Sequence, residues 1–309
     1  VKVALAQISA GPEPQENLRV IREQAEAAAA AGASLVVFPE ASMRAFGHRL
    51  DTHAEPLDGP FAEGVRAAAR DANLTIAVGL FTPAEDEPGA ASAETGAGPA
   101  DPAPAPTDPG AAADPGTAPA RRRVRNTLFV TDGRGHETAY VKIHVYDAFG
   151  FTESETVQPG TRPAVHELGD VRLGLATCYD IRFPHLFAHY GRAGCSISLV
   201  PASWQPGPGK AEQWRLLAQA RALDSGQFVL ACDQAVTRDP DAPAGPTGVG
   251  GSVVVDPWGK VLAEAGEDAE LLIADLDLGE VERARRALPV LAHARPLPGD
   301  DDDDACGSR

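Results

Sequence analysis

The sequence predicts an α/β protein whose strands form a pair of mixed β-sheets covered by helices, and three observations carry that expectation. Apolar or alternating runs of strand length take turns with amphipathic stretches of helix length along most of the chain. The second half repeats the rhythm of the first. About eleven strand-like runs result, more than one open sheet ordinarily holds, so two sheets are the more natural arrangement.

Taken in order, residues 2–7 ("KVALAQ") read as a strand, 15–31 as a helix, and 35–38 ("LVVF") as a buried strand. A helix over 61–71 and a strand over 74–80 follow. Residues 83–120 contain no Val, Ile, Leu, Met, Phe, Trp or Tyr, and such a segment buries too little apolar surface to offset its ordering entropy. Its flanks, "NLTIAVGLF" and "RNTLFVTDGRGHETAYVK", both read as strands, the second as a hairpin turning at 132–135. The segment is therefore expected to be a flexible loop inserted within one sheet, which loop-closure entropy tolerates. Strands at 172–176, 196–200 and 228–231 alternate with helices at 184–192 and 211–224. "GSVVVDPWGKVLAEA" gives two strands about a turn at 257–259, and 271–276 gives a last one. Residues 1–299 are expected to form one domain and 300–309 a disordered acidic tail.

A chain of 309 residues with 43% hydrophobic composition has ample material for a large core. The formal charge of −17 is concentrated: 83–120 holds seven acids and no base, 300–304 adds five more, and about −5 remains elsewhere. Nucleic acid is not an expected partner. The basic cluster Arg121, Arg122, Arg123 and Arg125 reads as a solvated strand entrance facing the acidic loop rather than a phosphate site. No apolar run approaches the roughly 18 residues of a membrane span, and residues 1–10 lack the features of a signal peptide. The cytoplasm is the expected compartment.

Cys178, Cys195, Cys232 and Cys306 form no CxxC pair, which argues against a zinc knuckle and a disulfide framework. His185 and His189 are four apart on a predicted helix and could share a metal, but no third ligand is evident nearby, so surface or half-buried histidines are the favoured reading. No GxSxG elbow is present, and Gly209–Lys210 lacks the rest of a phosphate loop.

Three reactive residues each follow an apolar strand: Glu40 after "SLVVFP", Lys142 after "TAYV" and Cys178 after "VRLGLAT". In α/β folds such strand ends line the usual crevice, so the three can converge. A thiol near pKa 8.5 needs a base or a cation beside it to act as a nucleophile. A carboxylate can take its proton, and an ammonium can stabilise the oxyanion formed by attack on a carbonyl or nitrile carbon. Each residue alone has a plainer reading: a packing cysteine, a strand-end acid, a solvated lysine.

"VVFPEAS" around Glu40, "YVKIHVYDAFGFTES" around Lys142 and "LATCYDIRFP" around Cys178 resemble, in order, the signature segments of the nitrilase superfamily, the carbon-nitrogen hydrolases. The resemblance runs from residue 1 to about 277 apart from the insert. It includes "VPASW", "WRLLAQARALDSGQFVLACDQ" and "GGSVVVDPWG". It implies an α-β-β-α sandwich, a homodimer or larger homo-oligomer, and no metal or organic cofactor. By the same resemblance Cys178 is the nucleophile, Glu40 the general base and Lys142 the stabiliser of the tetrahedral intermediate. Glu153 positions Lys142, and the Tyr179 backbone N–H completes the oxyanion site. The implied reaction hydrolyses a small linear amide to a carboxylic acid and ammonia through a thioester. An N-carbamoyl compound or a nitrile is the alternative substrate, and a catalytically silent binding or redox module the distant one.

"CYDIRFP" is closer to the amidase and Nit-like branches than to nitrilases proper, which usually have Trp-Glu after the cysteine. Two positions depart from the family pattern: His185, where many relatives have Glu, and Asp233, where Asn is frequent. Arg182 can clamp a substrate carboxylate bidentately or pair with Asp180 and brace the cysteine turn, the brace being favoured. Trp204 is a candidate pocket wall or core residue. Phe149 is a second pocket candidate for which the core is the favoured place.

Overall fold

The computed structural model describes residues 1–85, 122–238 and 245–295. Its elements are β1 (Lys2–Gln7), α1 (Pro14–Ala30), β2 (Leu35–Val37), α2 (Pro60–Ala72), β3 (Thr75–Pro83), β4 (Val124–Thr131) and β5 (Glu137–Val141). There follow β6 (Asp147–Ala148), β7 (Phe151–Thr152), β8 (Ala164–Leu168), β9 (Val171–Leu175), α3 (Pro184–Arg192), β10 (Ile197–Ala202) and α4 (Lys210–Ser225). The chain ends through β11 (Phe228–Asp233), β12 (Val253–Val255), β13 (Val261–Glu264), β14 (Glu270–Asp275), α5 (Gly279–Ala287) and α6 (Val290–His293).

Two six-stranded sheets result, ordered β14-β1-β2-β3-β4-β5 and β13-β12-β11-β10-β9-β8. Each has parallel strands at its centre, β1-β2-β3 and β9-β10-β11, and antiparallel strands outside them. Strand alternation sorts the side chains into layers. Val3, Leu5, Leu35 and Val37 of the first sheet meet Leu173, Leu175, Phe228 and Leu230 of the second in the central core. Ala4, Ala6 and Val36 point the other way, against Leu18, Ile21 and Ala25 of α1 and Phe61 and Val65 of α2. The far face of the second sheet, with Val229 and Ala231, packs on Phe187 and Tyr190 of α3 and Trp214, Ala218 and Ala222 of α4. The architecture is the α-β-β-α sandwich that the resemblance implies.

Helix boundaries follow local chemistry. Pro stands in the first turn of α1, α2 and α3, where its missing N–H breaks no helical bond. Asn73 (φ 54°) and Gly226 (φ 59°) end α2 and α4 in the left-handed conformation. The anticipated elements are present with ends shifted by up to three residues. β8, the short β6–β7 pair and helices α5 and α6 are additional. Of α5 only Val281 and Ala284 are buried, so its sequence shows little apolar periodicity.

β3 and β4 are antiparallel neighbours, in register from Ile76↔Thr131 to Pro83↔Val124. The segment that joins them therefore connects adjacent strands of one sheet. The expected flexible loop over 83–120 falls outside the described residues from residue 86 onward, and so does the expected tail at 300–309. Among the described residues no helix is long and apolar enough to cross a membrane.

Candidate active site

The exits of β2, β5, β9, β10 and β11 meet at one edge of the sandwich, the edge at which open α/β sheets place their ligands. Glu40 lies just beyond β2 and is fully buried. β3 passes against it so closely that a Cβ on Gly79 would stand 2.8 Å from Glu40 Cα and from Ala41 N. Glu40 Oε1 accepts from Lys142 Nζ (2.9 Å) and Asn126 Nδ2 (2.8 Å), and Oε2 accepts the Ser203 N–H (2.9 Å). Lys142, only 1% exposed after β5, also donates to Glu153 Oε2 (2.8 Å) and Oε1 (3.1 Å). Glu153 is held in turn by the Tyr146 N–H (2.6 Å) and Asn126 Nδ2 (3.1 Å).

Cys178 follows β9 at φ +48°, a left-handed conformation that costs energy for a residue with a Cβ. It opens a 3₁₀ turn, Cys178–Arg182, braced by the buried carboxylate of Asp180. Asp180 accepts from the Thr177 N–H (2.9 Å), the Tyr140 O–H (2.7 Å) and the His144 N–H (3.0 Å), and lies 2.7 Å from His144 Nδ1. The thiol's Sγ is 3.9 Å from Ser203 O, and the Glu40 carboxylate is close enough to act on it electrostatically.

Burial governs the electrostatics. It pushes the Cys178 thiol well above its ordinary range, with the neighbouring Glu40 carboxylate adding to the shift, and it raises Glu40 as well. Burial pulls Lys142 down, but the carboxylates of Glu153 and Glu40 outweigh it and hold the ammonium charged. The resting site thus holds a neutral thiol beside a basic carboxylate and a fixed cation. Attack by sulfur in such a site calls for proton transfer to Glu40 in the same event.

A cavity of about 350 Å³ opens above these groups. Glu40, Lys142, Glu153 and Cys178 line it together with Tyr146, Tyr179, Phe151, Trp204, Arg182 and Lys210. Two expectations need correction. Arg182 does not brace the turn: Asp180 is occupied by Thr177, Tyr140 and His144, and Arg182 donates to Gln213 Oε1 (2.9 Å) and lies 5.0 Å from the Trp204 ring. Phe149 is neither core nor cavity wall but 70% exposed at the tip of the β6–β7 hairpin, its ring 3.6 Å from Lys210 Nζ. With Phe149 (φ 53°) and Gly150 (φ 78°) both left-handed, that tip is a two-residue hairpin turn, and the wall position belongs to Phe151. Trp204 is 4% exposed and takes both of its readings, lining the cavity and packing on Trp214.

Sequence reasoning gave no role in the site to Asn126, Ser203, Lys210 or Asp233. Asn126 had a signal, the one carboxamide in β4 (VRNTLFVT), and Lys210 had another, a lysine directly preceding the predicted helix at 211–224. Ser203 acts through its backbone, which sequence does not display. Asp233 accepts the N–H groups of Trp204 (2.8 Å) and Val249 (2.7 Å). His185 packs edge-on to His144 at 5.4 Å, and His189 packs on Tyr190.

The family model for carbon-nitrogen hydrolases matches residues 2–97 and 106–286. The chain belongs to this family. As a carbon-nitrogen hydrolase it resembles "Hydrolase Rv0480c" of Mycobacterium tuberculosis, with 45% identity over 300 residues covering 94% of each chain. It is 28% identical to the omega-amidase NIT2 of Xenopus tropicalis, over 95% of each chain. Its fold superposes on Saccharomyces cerevisiae Nit3, of branch 10 of the nitrilase superfamily, with a TM-score of 0.72 and 27% identity over 94% of each chain. These matches place the hydrolase in the Nit-like amidase branch, whose members cleave carbon-nitrogen bonds other than peptide bonds.

Proposed function

We propose that this hydrolase converts a short linear amide bearing a second, anionic group to the carboxylic acid and ammonia through a thioester on Cys178. The observation that carries the reaction is the meeting of Glu40, Lys142, Glu153 and Cys178 at the base of one small cavity. Cys178 Sγ attacks the amide carbon while its proton passes to Glu40. Lys142 Nζ and the Tyr179 N–H stabilise the oxyanion, and Glu40 returns the proton to the departing nitrogen as ammonia forms. Water, deprotonated by Glu40, then attacks the thioester carbonyl, and the thiol regains its proton as the acid leaves. Asn126, which donates to both Glu40 and Glu153, fixes the carboxylates on either side of Lys142.

The anionic group is argued from Arg182 and Lys210. Both line the cavity, and neither has a carboxylate partner among the described residues. Burial and the charge of Arg182 hold Lys210 below the ordinary lysine range, and a bound anion would relieve both effects. The omega-amidase name of the Xenopus relative supports the same class.

The test is ammonia release from matched substrates: monoamides of short dicarboxylic acids, neutral amides of the same length, nitriles and N-carbamoyl compounds. Preference for the dicarboxylic monoamides, abolished in Cys178→Ala, is the expected result. Ammonia from nitriles alone, or ammonia accompanied by carbon dioxide from carbamoyl compounds, would overturn the amide assignment.

A further inference from the structure

We propose that Asp233 is a positioning residue for the hydrolytic site: its ionised carboxylate clamps two backbone N–H groups and so sets the Ser203 segment against Glu40 and Cys178. The amide-hydrolase reading supplies only the substrate for one arm of the test.

The clamp is direct. Asp233 ends β11 opposite Ala202, the last residue of β10. Its Oδ1 accepts the Trp204 N–H (2.8 Å) and its Oδ2 the Val249 N–H (2.7 Å), while its own N–H donates to Ser252 Oγ (2.9 Å). The Trp204 N–H belongs to the same peptide unit as the Ser203 carbonyl, the group that faces Cys178 Sγ at 3.9 Å. A peptide unit is planar, so fixing the N–H aims the carbonyl. One bond earlier, the Ser203 N–H donates to Glu40 Oε2 at 2.9 Å. Gln234, the next residue of the chain, donates through Nε2 to the Glu40 carbonyl at 2.9 Å and grips the same glutamate from its backbone side.

Asp233 is fully buried, and no Lys or Arg pairs with it among the described residues. The titratable groups that face it are Glu40, from the β2 exit, and Cys232 of β11 itself. β10, β12 and the 246–252 segment carry no ionisable side chain. Burial without a cation lifts its carboxyl to about 7. Once protonated, one oxygen becomes a hydroxyl and only the other remains a full acceptor, so one of the two N–H groups loses its partner. The clamp is therefore complete above neutrality and slackens below it. Asn imitates the protonated form, because it has one acceptor oxygen and turns an NH₂ toward the second N–H.

The experiment records kcat and KM for the best amide from pH 5.5 to 9, together with the rate of Cys178 alkylation by iodoacetamide in the absence of substrate, in the wild type and in Asp233→Asn. The wild type is expected to lose roughly three- to tenfold in kcat and in alkylation rate on the acid side of a midpoint near 7, the scale of one weakened hydrogen bond. Asp233→Asn should lose that limb and hold the wild type's acid-side kcat at pH 8, with KM changed less than twofold. An unchanged limb in the variant would assign the titration to Glu40 and overturn the proposal, as would an effect on KM alone. If the variant does not fold, infrared titration of ¹³C-aspartate-labelled wild type decides: absence of a buried aspartic acid protonating near neutrality overturns it. If no amide is turned over, the alkylation rates alone decide, so failure here and failure of the amide reading remain separate.

Discussion

Lys142 is the hinge of the site's electrostatics, because its one ammonium meets three carboxylate oxygens from two glutamates, all of them buried. Replacing it with Met leaves Glu40 and Glu153 buried without a cation. Besides loss of turnover, urea unfolding of Lys142→Met should show a loss of about 3–5 kcal/mol, the scale for breaking a buried ion pair from one side. A second expectation concerns pH and stability. Burial, with His136 beside it, lowers His166 to about 4, so the folded state resists protonation that the unfolded chain accepts near 6.5. Its contribution is present above 6.5 and is lost as pH falls toward 4, by up to about 3 kcal/mol. A His166→Asn variant should therefore gain on the wild type through that window in denaturant midpoints measured at successive pH values; a constant difference would contradict the assignment. At this scale strand-end position, a local property, singled out Glu40, Lys142 and Cys178, which the structure brings together, while Glu153 entered only through the resemblance to the family. Sequence did not show what Arg182 touches, since Asp180, two residues away, is occupied by Tyr140 and His144 from distant segments.

Among the elements, β3 is the one whose sequence the site constrains most tightly. Gly79 lies beneath the Glu40 turn, and the atoms that a Cβ would meet are backbone rather than flexible side chain. Gly79→Ala should cost roughly 1–3 kcal/mol in thermal or urea unfolding, and it should lower kcat by displacing Glu40. A variant as stable and active as the wild type would show that the β2 exit yields freely. The β6–β7 hairpin predicts the opposite behaviour: Phe149→Gly relieves a left-handed residue whose ring is mostly exposed, so stability should change little. The strands that sequence located are continuous apolar runs buried on both faces, as in β2, β10, β11 and β12, or alternate against one buried face, and the helices are amphipathic stretches of helix length. β6 and β7, at two residues each, are too short to show a period, and α5 buries too few residues to reveal one. Phe149 was misplaced for a related reason, because hydrophobicity alone does not separate a turn tip from a wall.

For the whole molecule, the sandwich places each half of the site on a different sheet, with Glu40 and Lys142 from the first and Cys178 from the second. The site therefore forms only when the two sheets are packed. Because β3 and β4 pair up to Pro83↔Val124, exchanging residues 86–121 for a short Gly-Ser connection should leave kcat within about twofold, as an adjacent-strand link needs little length. Leu216 and Leu223 are exposed apolar residues of α4, on the layer that covers the second sheet, and Trp258 in the β12–β13 turn and Leu262 in β13 are exposed at that sheet's edge. Light scattering should show at least a dimer if that layer meets a second copy, and a monomer at micromolar concentration would contradict the expected homo-oligomer. The two-layer architecture was legible because strand count and alternation are properties of the whole chain, whereas the convergence of the five strand exits rests on sheet register, which no single segment encodes.

The central claim, a thioester on Cys178, is tested most directly by rapid-quench intact-mass analysis of the enzyme mixed with its best amide, followed by peptide mapping. A transient mass increase equal to the acyl group, located on Cys178 and absent in Cys178→Ala, is the predicted result. Ammonia release at the wild-type rate with no adduct at any quench time, or with the acyl group on another residue, would contradict it.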